Sequence, residues 1–150
     1  EIRAAVATGG FGDAEAEAAL VRYLAQRRDA IGRKYLNATN PVVDFALDEA
    51  GTMTFRNEAV ERQFASAAGS YRVQWARFDN ATGEATAVGE AMQAAEPRAT
   101  MPPELMSAPF VRAIVTSHHP EQPAWADPVH VFFRKEAAGW TLVGLERFPR

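Results

Sequence analysis

The chain has 150 residues, of which 47% are hydrophobic and 23% charged, and its formal net charge is −3. That length holds one domain of ordinary size, or a compact domain with an appendage. The acidic balance argues against a nucleic-acid footprint, the absence of cysteine excludes thiol catalysis, disulfides and thiolate metal sites, and no apolar run approaches the length of a membrane span.

Ile2 to Thr8 is a short Ala-rich segment that Gly9-Gly10 terminates. Asp13 then offers an N-cap, with Glu15 and Glu17 in the first turn and Arg28, Arg33 and Lys34 crowding the far end. Acid first and base last complements the helix dipole, so the run from Asp13 to Leu36 predicts a helix. Its apolar stripe is Leu20, Leu24, Ile31 and Tyr35, interrupted by Arg27, and Asn40-Pro41 ends the helical region.

After Pro41 the period changes to two. Val43, Phe45 and Leu47 alternate with Asp44 and Asp48, and Glu49-Ala50-Gly51 turns the chain into a second strand from Thr52 to Phe55. Asn57 can cap a helical turn in the less regular stretch to Ala68. Tyr71, Val73 and Trp75 then alternate with Arg72 and Gln74, and Asp79 to Gly83 supplies the turn of a second hairpin. Ala94 to Pro109 carries four of the nine prolines and reads as a surface connection. Phe110 to Thr116 is apolar on both faces, as in a central strand. A second Pro-rich loop precedes a third hairpin, Val129 to Arg134 and Trp140 to Phe148, closed by Glu136 to Gly139. The expected fold is α+β: a helical arm over residues 1–40, then a mainly antiparallel β-sandwich of about seven strands over residues 41–150, with an open barrel as the alternative. Trp75 is expected inside, against Trp140 and Leu142 of the last hairpin.

The candidates for chemistry are few. His118, His119 and His130 are the only histidines and lie in or beside one loop with Asp127, a set that could hold zinc. Adjacent strand residues point to opposite faces, which works against joint ligation by His118 and His119. Ser117 beside His118 lacks the elbow of a nucleophilic serine. Gly9-Gly10 with Gly12 lacks the Lys-Ser/Thr of a phosphate loop. No cofactor is therefore expected. Arg27, Arg28, Arg33 and Lys34, with Arg22, form a basic segment that could meet an anionic surface, or simply complement the helix dipole. Trp125, in a loop, is the aromatic best placed for a contact surface. Asn37-Ala38-Thr39 and Asn80-Ala81-Thr82 match the glycosylation sequon, the second being better explained by its turn.

The segments YLAQRRDAIGRKYLNATNPVVDF, YRVQWARFDNATGE and PVHVFFRKEAAGWTLVGLERFP together resemble the C-terminal part of an uncharacterised family of large bacterial envelope or secreted proteins, whose upstream region looks remotely kinase-like. The resemblance covers most of the chain and carries no catalytic motif. It implies a periplasmic or envelope setting and an active site, if any, upstream. The chain starts at Glu1 inside a helical pattern, so an excised piece of a longer protein is expected. What the sandwich leaves exposed of the arm's apolar stripe, together with Ile2 and Val6, would then be covered by upstream chain or by a second copy. Three functions remain in view: a non-catalytic accessory or interaction domain, a small metal-dependent or acid–base enzyme using the His118–His130 loop, and a binder of anionic surfaces.

Overall fold

The computed structural model describes residues 1–147, so Phe148, the expected end of the last strand, lies outside the described residues. Helix α1 (Ile2–Ala7) is followed by the 23-residue α2 (Ala14–Leu36), which begins where the Asp13 carboxylate accepts hydrogen bonds from the amides of Glu15 at 2.9 Å and Ala16 at 3.3 Å. Strands β1 (Val42–Leu47) and β2 (Thr52–Asn57) form a hairpin. Asp48 closes its turn by accepting from the Thr52 amide at 2.7 Å, and Gly51 supplies the positive φ of 82°. Asn57 caps the single turn α3 (Glu58–Glu61). Then come β3 (Ser70–Phe78), β4 (Ala85–Ala87), β5 (Met92–Ala94), β6 (Arg98–Thr100), β7 (Phe110–His118), β8 (Val129–Glu136) and β9 (Gly139–Arg147).

All pairings are antiparallel and make two sheets. The smaller has the order β1-β2-β6. The larger runs β4-β3-β7-β8-β9, with β5 sharing the β3 edge beside β4. The fold is thus α+β, a helical arm on a β-sandwich. Alternation along the strands delivers one face of each to the shared core: Phe45 and Leu47, Met53 and Phe55, Tyr71, Val73 and Trp75, Val111, Ala113 and Val115, Val129, Val131 and Phe133. Phe55 joins the layers, 5.3 Å from the Phe45 ring and 5.1 Å from Tyr71 across the interface. Trp75 lies opposite Ala113, and the small neighbour leaves room for the indole. The sheets approach each other along both sides, with β5 beside β6 and β1 beside β9.

Two expectations are corrected. The segment from Ala94 to Pro109 is not a surface connection. It contributes the last residue of β5 and the whole third strand of the small sheet, β6, and it buries Ala99, Met101, Leu105 and Ala108 in the core. Pro97 and Pro102 lie on either side of β6, a short edge strand, where no ladder hydrogen bond is lost. The last hairpin, moreover, does not face β3. It belongs to the same sheet, two strands away, so the layer over Trp75 and Tyr71 is β1-β2-β6. Trp140 touches the core only partly, and Leu142 is 42% exposed.

Candidate functional site

The β7–β8 crossover separates the residues that looked like a ligand set. His118 ends β7 with its side chain exposed. His119, one residue on, is buried against Trp125, with ring centroids 4.7 Å apart. Its Nδ1 accepts from the Glu121 amide at 3.1 Å, so Nε2 must carry the hydrogen and donate to Ser66 Oγ at 2.9 Å. Both ring nitrogens are thereby engaged. His130 lies on the opposite sheet face from buried Val129 and Val131, beside Phe132. Burial, and then the charge of Arg112, push its imidazole below the usual range, with Glu146 opposing. Among the described residues no three His, Asp or Glu side chains converge on a point that could hold a metal ion.

Trp125 is corrected from surface residue to core. It is 0% exposed, because the 3-10 turn Pro123–Ala126 folds it under the crossover. Asp127 is also buried, and its backbone carbonyl accepts from Asn40 Nδ2 at 3.0 Å. Asn40 is the residue that sequence reasoning passed over, reading it only as a helix breaker beside Pro41. It donates to the Val115 carbonyl at 3.2 Å as well, and its Oδ1 accepts from Ser117 Oγ at 2.9 Å. Ser117 is therefore a buried donor facing away from His118, not a nucleophile beside a base. A signal for this hub existed only in the polarity of a residue next to a strand of apolar type.

Two clefts lie at opposite ends of the paired strands β3 and β7. One of about 620 Å³ lies by the β3–β4 turn, lined in part by Arg77, Phe78, Asp79, Glu84 and Phe110. The Asp79 carboxylate is already used, accepting from the amides of Ala81 at 2.8 Å and Thr82 at 3.2 Å. A second, of about 470 Å³, has Ser70, Arg72, Thr116 and His118 on its walls. Neither aligns a nucleophile, a base and an oxyanion donor in the manner a catalytic site requires.

The arm has the opposite character. No residue of α2 is buried. Its contacts to the rest of the chain are mainly with α1 and α3, where the Phe64 ring packs over Gly32 and lies 5.4 Å from the Arg33 guanidinium. Gly32 and Leu36 lie roughly 80–160° round the helix from Leu20, Leu24 and Ile31, at about 100° per residue. Most of the apolar stripe therefore faces solvent: Ile31 is 49% and Tyr35 66% exposed, Leu24 and Tyr23 are exposed as well, and Leu20 is half-buried. Val6, expected in the open, is instead buried where α1 packs on the chain, and Ile2 is half-buried. Of the basic residues, Arg28 pairs with Asp29 at 2.6 Å. Arg27 and Lys34 carry no ion pair among the described residues, and neither do Glu15 and Glu17 at the other end. Nor is any described helix long and apolar enough to cross a membrane. Against this geometry, comparison with protein-family models, curated proteins and solved structures returns no match for the chain.

Proposed function

We propose that this chain is a non-catalytic accessory domain of a larger bacterial protein, and that α2 is the element through which it makes contact. The carrying observation is a 23-residue helix without a buried residue, bearing Leu24, Ile31, Tyr23 and Tyr35 in the open. An isolated helix draws little stability from propensity alone, so a face kept apolar but unused by its own domain supports a role in association. The resemblance to the C-terminal part of envelope or secreted proteins agrees with this reading.

The test separates the arm from the histidines. Leu24→Glu with Ile31→Glu is expected to leave unfolding stability within about 0.5 kcal/mol of the parent, as surface changes do. In the producing organism the same allele is expected to behave as a loss of function at normal protein level, whereas His118→Ala with His130→Gln is expected to be tolerated. Full function of the arm variant, or stoichiometric zinc whose chelation lowers Tm, would overturn the reading in favour of an enzyme at the crossover.

A further inference from the structure

We propose that the partner of the arm is a second copy of this chain, joined through α2 in an antiparallel helix pair. This rests on the reading of α2 as the contact element and names its occupant. Glu17, Leu20, Leu24, Arg27, Ile31 and Lys34 follow one another in alternating steps of three and four residues, the spacing of a helix–helix seam. The seam avoids the face that packs on Phe64; Leu24 and Ile31 within it are solvent-exposed, while Leu20 and Glu17 are half-buried, Glu17 sharing a cleft with Arg3 of α1.

Charge decides the direction. The one acid of the seam, Glu17, lies at its N-terminal end and Lys34 at its C-terminal end, with Arg27 near the middle, and neither Glu17 nor Lys34 has an ion pair among the described residues. A parallel pair would set Glu17 against Glu17 and Lys34 against Lys34, which costs energy at both ends. The antiparallel pair sets Glu17 of each copy against Lys34 of the other, and Leu20 against Ile31. Near the middle Leu24 meets the aliphatic stem of Arg27, whose guanidinium reaches out to water. The arrangement is self-complementary, as a two-fold interface must be. Helices of this length run about 35 Å, so the seam reaches only the low end of stable interface area, and a reversible dimer is the expectation.

An anionic lipid surface is the rival occupant, since Arg22, Arg27, Arg28, Arg33 and Lys34 cluster in the same helix. The acidic first turn and the net charge of −3 oppose it.

Sedimentation equilibrium of the chain over a range of concentrations provides the test, with circular dichroism to verify folding of each variant. A reversible dimer is expected. Glu17→Lys alone and Lys34→Glu alone should each weaken it about tenfold by turning two attractive contacts repulsive, and the double swap should restore it. A monomer at several hundred micromolar overturns the proposal, as does a dimer indifferent to the swaps. A monomer that co-floats with phosphatidylserine vesicles also overturns it, in favour of the lipid surface. Either monomeric result, combined with loss of function in the Leu24/Ile31 allele, leaves the arm as contact element with a different partner, so the two readings fail separately.

Discussion

Asn40 shows how much a single side chain can hold together here. Its amide donates to two carbonyls and accepts one hydroxyl, tying the end of the arm linker to β7 and to the β7–β8 crossover, all within the protein interior. Removing it strands the buried partners. Asn40→Ala should therefore cost about 2–4 kcal/mol in urea unfolding, well above a surface substitution. His130 offers a second measurement. Its imidazole is held below the ordinary value of 6.5, by burial first and by Arg112 second. The unfolded chain thus takes up a proton that the folded one resists, so this contribution is present above about pH 6.5 and is lost as pH falls below it. His130→Gln should show a shallower fall of Tm between about pH 7 and about pH 5 than the parent, and an NMR titration of His130 should have its midpoint below 6.5. Identical slopes would assign the acid sensitivity to other groups.

At the scale of elements, β3 is the strand on which the large sheet turns. It pairs with β7 along its length and with β4 and β5 on its other edge, and it presents Tyr71, Val73 and Trp75 to the small sheet. Truncating Trp75 to Ala should cost about 3–5 kcal/mol, and an unchanged melting curve would contradict its burial. The root of α2 is held differently, by one close approach. A Cβ on Gly32 would stand 2.3 Å from the Phe64 ring, so the helix tolerates glycine there despite its weak propensity. Gly32→Val should push Phe64 aside and free the last turns of α2. Faster hydrogen exchange confined to those turns and α3 is the expected readout, while unchanged exchange would mean that Phe64 rearranges without consequence.

For the molecule as a whole, the closing piece is the segment that carries most of the clustered prolines. Met101 donates its amide to the Gly51 carbonyl at 2.7 Å, Phe55 donates to Pro97 at 3.1 Å, and Leu105 fills the core beyond β6. Leu105→Ala, a change in what reads as a loop, should accordingly cost about 2–4 kcal/mol by denaturant titration. A value near zero would mean that this end of the sandwich can collapse around the gap. The arm lies outside this packed body, which is why the same kind of substitution at Leu24 is expected to be silent for folding and costly for association.

What the sequence determined by itself was the local part of the structure. Capping chemistry and charge order marked α2 from Asp13 onward, period-two alternation marked β1, β2, β3, β8 and β9, and turn residues marked their hairpins, because each of these depends on neighbours within a few residues. The exposed stripe of the arm was also legible, since so short a link to the sandwich leaves most of a long helix uncovered. Tertiary structure alone decided the rest. Three-residue strands such as β5 and β6 carry too little periodicity to be seen until β3 and β2 supply their hydrogen bonds. Trp125 became core because a proline-bearing turn folded it beneath the crossover, a matter of chain path and not of residue type. The histidine cluster was already doubtful from the alternation of a strand, but only the chain path placed His119, one residue past β7, in the interior against Trp125.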